Sequence, residues 1–126
     1  MDREQLLNLI DSLDLPNDSY YILSSGALVL FGLREKAGDL DLCVSEKLFE
    51  TLKQRYHLTE DMKNPHGFYA LSDDVEIVVD FKFDFTYKDG YPVQKLESIL
   101  KFKEERNAPK DQADIVRIKE YLAGKR

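Results

Sequence analysis

The chain has 126 residues, of which 43% are hydrophobic and 33% are charged. This length predicts a single domain over residues 1–126. The hydrophobic fraction excludes a chain that is disordered throughout. The formal net charge of −6 disfavours a broad nucleic-acid-binding face, so nucleic acid is not an expected partner. Because a lone cysteine can form no internal disulfide, and the sequence suggests neither a membrane span nor a signal peptide, we expect a cytoplasmic protein without membrane contact.

The first third of the chain alternates predicted helices and strands. Leucine and isoleucine recur at helical spacing over residues 2–14, which predicts a first helix. A short buried strand is predicted at residues 20–23, followed by a compact helix at residues 27–31. Strict alternation of polar and apolar residues over 39–44 predicts a second strand.

The rest of the chain adds further strands and three helices. Ser45 is a suitable N-cap for a helix over residues 46–55. The remaining predicted elements are an edge strand at 57–59, a strand at 68–71, one long or two short strands over 75–85, and helices at 93–105 and 109–122. This order predicts an α/β or α+β fold, in which helices pack on a mixed β-sheet and two helices close the chain.

The predicted strand at residues 39–44 carries two carboxylates. Asp39 and Asp41 are two residues apart, so both side chains lie on one face of the strand. Like charges about 6–7 Å apart repel each other unless a cation or a basic group lies between them. Mg²⁺ prefers such oxygen ligands together with substrate phosphates, although a solvated strand face could carry the same acids.

A segment of small residues precedes this strand. Ser24, Ser25 and Gly26 lie between a predicted strand and a helix, where the N–H groups of the helix start can bind a phosphate. An ordinary tight turn uses the same residues. Arg34, in the loop before Asp39, would lie near a phosphate or pair with an aspartate, and a loop salt bridge is the alternative. A phosphate-binding turn followed by a pair of carboxylates favours nucleotide chemistry.

These segments carry a resemblance to a known superfamily. The matching residues are LSSGAL at 23–28, GLR at 32–34 and GDLDL at 38–42. Together they resemble the signature of polymerase-beta-like nucleotidyltransferases, especially the minimal bacterial and archaeal members in the abortive-infection toxin and lincosamide-modifying branches. Residues 101–115 resemble the tail of those proteins, so the resemblance covers residues 20–122. The family's Gly-Gly or Gly-Ser pair is replaced here by Ser-Ser-Gly.

The resemblance implies a magnesium-dependent transfer reaction. Asp39 and Asp41 would bind two Mg²⁺ ions, and the Ser-Ser-Gly segment would hold the triphosphate of an NTP. An acceptor hydroxyl would attack the α-phosphorus, and pyrophosphate would leave. A third carboxylate is expected from a later strand, and both Glu76 and Asp80 are candidates. We favour Glu76 as the third metal ligand because its spacing to the turn at residues 89–92 better fits the minimal family.

The C-terminal region offers a further candidate. Lys110 begins the last predicted helix, where the helix dipole disfavours a cation, so an acid or a phosphate is an expected partner and full solvation is the alternative. The other charged residues of this region have structural explanations: Asp111 and Asp114 would stabilise the helix start, and Lys101, Lys103 and Arg106 would form a solvated face.

A second class of function competes with the enzyme. The chain could be a catalytically inactive nucleotidyltransferase-like binding module, acting as a toxin–antitoxin or regulatory partner. A domain of this size leaves little room for an acceptor site, so a second copy or a helical partner protein is expected to complete it. The acceptor itself is open between a small antibiotic-like molecule, a protein side chain and a tRNA end.

Overall fold

The computed structural model describes residues 1–80 and 84–124, and within them a mixed β-sheet is packed with helices. The helices are α1 (Arg3–Leu13), α2 (Ser24–Leu30), α3 (Glu46–Tyr56), α4 (Leu96–Arg106) and α5 (Gln112–Gly124), with single 3₁₀ turns at Glu60–Met62 and Pro109–Asp111. The strands are β1 (Tyr20–Ile22), β2 (Leu40–Val44), β3 (Phe68–Ala70), β4 (Val75–Val78), β5 (Phe85–Lys88) and β6 (Tyr91–Gln94). The α/β class predicted from the sequence is confirmed.

The sheet combines parallel and antiparallel pairs in the order β3-β4-β2-β1-β6-β5. The two central strands, β2 and β1, are antiparallel, and each pairs in parallel with its outer neighbour, β4 and β6 respectively. Each edge strand then closes the sheet as an antiparallel partner. Parallel pairs need long crossover connections, which α3 and the segments around it provide between β2 and β4.

One face of the sheet forms the hydrophobic core. Alternate strand residues point to this face, and Ile22, Leu42 and Ile77 are fully buried there. All five helices contribute side chains to the same core cluster; examples are Leu6, Leu28, Leu48, Ile99 and Ile118. The residues between them along the strands, including Asp41 and Glu76, point to the opposite face. The candidate site therefore lies on the face away from the core.

The first helix shows why the sequence periodicity was informative. Asp2 caps α1 by accepting a hydrogen bond of 2.9 Å from the backbone N–H of Gln5, whose side chain accepts in return from the backbone of Asp2. Such a reciprocal capping box satisfies two N–H groups that the helix start would leave unpaired. Leu6 and Ile10, one helical turn apart, are buried. The predicted helix at residues 2–14 is confirmed.

Two predicted elements were wrong. Residues 57–59 form no strand, because His57 adopts a left-handed conformation (φ 55°) and ends α3. The helix predicted from residue 93 begins instead at Leu96. Asp89 and Gly90 both have positive φ, and this turn pairs β5 with β6 as a hairpin that continues to Gln94. The turn itself had been predicted, but the apolar residues after it match helical spacing as well as a strand.

Two smaller differences affect the candidate site and the second half of the sheet. The helix predicted at residues 27–31 begins earlier, so Ser24, Ser25 and Gly26 form the first turn of α2. The strand region predicted over 75–85 contains β4 and the first residue of β5, and its residues 81–83 lie outside the described residues.

Among residues 1–80 and 84–124, no helix combines the length and the apolar character that a membrane crossing requires.

Gly26 provides a test of how tightly α2 packs on β1. A Cβ atom at this buried position would lie 2.8 Å from Cγ2 of Ile22. We therefore expect Gly26→Ala to lower the free energy of unfolding by about 1–3 kcal/mol in urea denaturation, because the core must shift to admit the methyl group. In Gly124→Ala, a control at the end of α5, the added Cβ meets no described heavy atom within 4 Å. Equal effects of the two substitutions would contradict this packing.

Candidate functional site

The pairing of β2 with β4 brings two carboxylates together. These strands are parallel, and in their register Asp41 lies directly beside Glu76. Adjacent strands are about 4.8 Å apart, and paired residues point to the same face. Both side chains are partly buried, while their strand neighbours Leu42 and Ile77 point into the core. The sheet therefore holds two acidic side chains as neighbours on its core-free face.

Asp39 adds a third negative charge to this pair. It immediately precedes β2, two residues before Asp41, and is exposed. Burial, followed by the negative charges of Glu76 and Asp39, raises the pKa of Asp41 from its usual 3.8 to about 6. Of the three residues predicted from the sequence as metal ligands, the strand pairing thus sets Asp41 beside Glu76, and the charge of Asp39 acts on Asp41. We call Asp39, Asp41 and Glu76 the acidic triad.

The register also bears on the choice between Glu76 and Asp80. Cys43 of β2 lies beside Val78, the last residue of β4, so Asp80 follows the end of that strand. The printed pairing of β4 with β2 stops before Asp80 and so does not place it beside Asp41. Asp80 is exposed. Of the two candidates, Glu76 is the one that the strand pairing places beside Asp41.

The chemistry of the acidic triad fits Mg²⁺. In residues 1–80 and 84–124, no group of three His, Cys, Asp or Glu side chains is positioned as it stands to hold a metal ion. However, Mg²⁺ usually keeps several waters and takes only one or two carboxylates together with substrate phosphates. Asp41 and Glu76 offer two oxygen donors side by side, and a divalent cation would relieve their repulsion. The donor atoms of Asp41 and Glu76 are therefore of the kind that this ion prefers.

The Ser-Ser-Gly segment lies next to the acidic triad. The backbone N–H of Leu23, just before α2, donates to the carbonyl of Asp41 over 2.9 Å. Ser24 has a positive φ of 41° and its backbone N–H donates to Oε1 of Gln94 over 3.0 Å. Gly26 faces the core, where it allows α2 to approach Ile22. The turn is near enough to serve a nucleotide bound at Asp41, but Ser24 and Gly26 also have structural explanations.

Neither predicted basic residue contacts the acidic triad. The guanidinium of Arg34 lies 3.8 Å from the carboxylate of Asp114 in α5, which corresponds to the salt-bridge alternative considered from the sequence. Lys110 is exposed in the 3₁₀ turn Pro109–Asp111. A role for either residue in phosphate binding stays a prediction, because no contact with Asp39, Asp41 or Ser24 supports it.

Three charged residues near the C-terminal end, Lys103, Asp111 and Asp114, form a buried ion cluster, whereas Lys101 is exposed as predicted. Lys103 is 4% exposed and its ammonium lies 3.5 Å from Asp111 and 3.3 Å from Asp114. Asp111 is 1% exposed and also accepts hydrogen bonds from Arg106. The hydrogen bond from Arg106, together with the charge of Lys103, holds the pKa of Asp111 well below its usual range. The prediction that Lys103 and Arg106 are merely solvated was wrong, because α5 folds back over α4 and covers Lys103.

Asn64 is a site residue that sequence reasoning missed. Its side-chain Nδ2 donates to Oε2 of Glu76 over 3.1 Å. Its Oδ1 accepts from the backbone N–H groups of His66 and Phe68, each over 2.9 Å. The segment Asn-Pro-His-Gly at residues 64–67 is typical of a turn, but no local pattern could indicate that its first side chain reaches β4.

The raised pKa of Asp41 predicts a pH-dependent cost of folding. Its pKa is higher in the folded protein than the usual 3.8, so the folded state loses stability as the pH rises from about 4 through about 6. Asp41→Asn removes this cost, and we expect it to stabilise the metal-free protein by roughly 2 kcal/mol at pH 7.5 and by little at pH 4. Denaturant unfolding at both pH values measures the difference.

A matched change at an exposed carboxylate provides the control for Asp41→Asn. Asp73 is exposed in the loop before β4. Asp73→Asn should change the free energy of unfolding by less than about 0.5 kcal/mol at either pH. If Asp41→Asn gave no larger gain at pH 7.5 than at pH 4, Asp41 would not have the raised pKa that its burial and its acidic neighbours produce.

The buried ion cluster predicts contrasting effects of two lysines on α4. Lys103→Met leaves the buried Asp114 without its nearest cation, and we expect a loss of about 3 kcal/mol in the free energy of unfolding. Lys101→Met, on the exposed side of the same helix, should change it by less than about 0.5 kcal/mol. Equal losses in thermal or urea denaturation would mean that Lys103 does not stabilise the cluster.

We compared the chain with protein-family models, with curated proteins and with solved structures, and none of the three comparisons gave a match.

Proposed function

We propose that this chain is a Mg²⁺-dependent nucleotidyltransferase that transfers an NMP unit from an NTP to a hydroxyl-bearing acceptor. The observation that carries the proposal is the register that sets Asp41 beside Glu76, with Asp39 close enough for its charge to contribute to the raised pKa of Asp41. Uncompensated carboxylates at such spacing are costly in a folded protein, and a divalent cation with its phosphate ligands compensates them.

The acidic triad has a defined task in this reaction. Asp39, Asp41 and Glu76 would hold Mg²⁺, with two ions expected when the NTP is present. When bound, Mg²⁺ supplies neutralisation of the triphosphate charge and polarisation of the α-phosphorus. The first turn of α2, adjacent to Asp41 through Leu23, is the element that would contact the β- and γ-phosphates through its backbone N–H groups.

The transfer itself is a simple displacement. The acceptor oxygen forms a bond to the α-phosphorus, and the bond from that phosphorus to the bridging oxygen breaks, so that pyrophosphate leaves with the electron pair. The proton of the attacking hydroxyl passes to solvent water, which leaves Glu76 to its role as a proposed metal ligand. The protein contributes mainly position and charge compensation, without a covalent intermediate.

A cytoplasmic compartment goes with this proposal because a lone cysteine can form no internal disulfide.

One observation favours a second candidate function, a catalytically inactive binding module. The backbone N–H of Ser24 already donates to Gln94, and Arg34 already pairs with Asp114. Two groups predicted to hold the triphosphate are thus engaged within the protein. An inactive module would keep these contacts and would not respond to nucleotide, whereas the enzyme must exchange at least the Ser24 contact for a phosphate.

Pyrophosphate release tests the enzymatic proposal through two carboxylates on the same segment. With Mg²⁺, labelled NTPs and candidate acceptors, Glu76→Gln should reduce the rate by at least about 100-fold, because it removes a proposed metal ligand. Asp80→Asn changes an equally acidic residue that the register separates from Asp41, so we expect its rate to stay within about threefold of the wild-type rate.

A nucleotide-binding measurement separates the enzyme from the inactive module without knowledge of the acceptor. ATP with Mg²⁺ should raise the melting temperature of the wild-type protein, and Asp39→Ala combined with Asp41→Ala should abolish that rise. A wild-type protein that no NTP stabilises in the presence of Mg²⁺ would support the binding module and reject the nucleotidyltransferase.

A further inference from the structure

Asn64 is fixed in orientation by four hydrogen bonds around one turn. Its backbone N–H donates to the carbonyl of Phe68 over 2.8 Å, and its carbonyl accepts from Gly67 over 2.9 Å. Its side-chain Oδ1 accepts from the backbone N–H groups of His66 and Phe68. Because a backbone N–H can only donate, these two bonds settle which end of the amide is oxygen and which is nitrogen. The NH₂ group must therefore point away from the turn.

The direction of that NH₂ group leads to the acidic triad. It donates to Oε2 of Glu76 over 3.1 Å, and this contact joins the turn before β3 to the middle of β4. The strand that follows this turn, β3, also pairs with β4, and in that pairing Ala70 lies beside Glu76. The donor is partly buried, so bulk water does not replace it freely. The position of the Glu76 carboxylate is thus set by a side chain that is itself rigidly held.

We propose that Asn64 is a positioning residue of the metal site, which occupies one oxygen of Glu76 and leaves the other, Oε1, to a cation shared with Asp41. This inference rests on the proposed function. A carboxylate beside like charges would otherwise swing toward solvent, and the hydrogen bond opposes that motion. Residues that hydrogen-bond to a metal ligand in this way typically change metal affinity by about 10- to 100-fold when removed.

A double-mutant cycle with Mg²⁺ alone, titrated by calorimetry, tests the positioning role. Asn64→Ala should weaken Mg²⁺ binding about tenfold in the wild-type background. The same substitution should have no further effect in the Glu76→Ala background, because Asn64 acts only through Glu76. Asn64→Ser is the second variant: its hydroxyl can still accept a backbone N–H of the turn but is too short to reach Glu76. We expect it to weaken binding as much as Asn64→Ala.

A readout that needs no metal accompanies the cycle. In the NMR spectrum of the wild-type protein, a side-chain amide proton of Asn64 should be shifted downfield and exchange slowly, and Glu76→Ala should remove both properties. The backbone N–H signals of His66 and Phe68 should persist in that variant, since their bonds to Oδ1 are intact. An Asn64 amide signal that does not respond to Glu76→Ala would overturn the proposal.

The outcomes also separate this inference from the proposed function. If the wild-type protein binds Mg²⁺ and Asn64→Ala weakens binding equally in both backgrounds, Asn64 only stabilises its turn and the positioning role is wrong. If the wild-type protein binds no Mg²⁺, the proposed function fails and takes the positioning role with it. Loss of affinity confined to the background that retains Glu76 supports both.

Discussion

The parallel pairing of β2 with β4 is the constraint on which the rest of the account depends. It places Asp41 beside Glu76 on one face of the sheet, and it also places Leu42 beside Ile77 on the opposite face. Both apolar side chains are fully buried. Side chains alternate along a strand, so a shift of β4 by one residue against β2 would turn Ile77 away from the core and Glu76 into it. The core therefore enforces the register, and the register enforces the proximity of two carboxylates that repel each other.

This arrangement separates the sources of stability from the site. Leu40, Leu42 and Val44 of β2 are buried in the core and anchor the strand there. Asp41 lies between them on the opposite face, and its raised pKa means that its ionised form lowers the stability of the metal-free protein. The buried ion cluster around Lys103 lies on α4 and α5, where opposite charges compensate each other. The acidic triad has no such compensation within the contacts described above. That contrast distinguishes a charge cluster that stabilises the fold from one that suits an external cation.

Local patterns in the sequence predicted much of the fold and part of the site. Helical spacing located α1, and the alternation around Asp41 located β2, because each depends on residues close together in the chain. The β5–β6 hairpin shows the limit of this reasoning: Asp89-Gly90 was recognised as a turn, yet Val93 suited a helix equally well until its pairing with Ile22 was known. Spacing likewise identified Glu76 and Asp80 as rivals and favoured Glu76, but only the register of β4 against β2 places Glu76 beside Asp41.

The features missed by sequence reasoning are those set by distant contacts. The sequence predicts a solvated Lys103, since nothing in α4 reveals that α5 will cover this residue. Asn64 lies in a recognisable turn, but its bond to Glu76 requires β3 to lie against β4. Both residues are polar and gain their roles from partners across the fold, where amphipathic periodicity carries no information.

The central claim is that Asp41 and Glu76 share a divalent cation that also binds a triphosphate. Anomalous diffraction from a crystal grown with Mn²⁺ and a non-hydrolysable NTP tests it most directly, since Mn²⁺ takes the same oxygen ligands as Mg²⁺ and scatters anomalously. The account predicts a metal peak within about 2.2 Å of oxygens from both carboxylates and from the triphosphate. A peak elsewhere, or nucleotide bound without metal at these two residues, would contradict it.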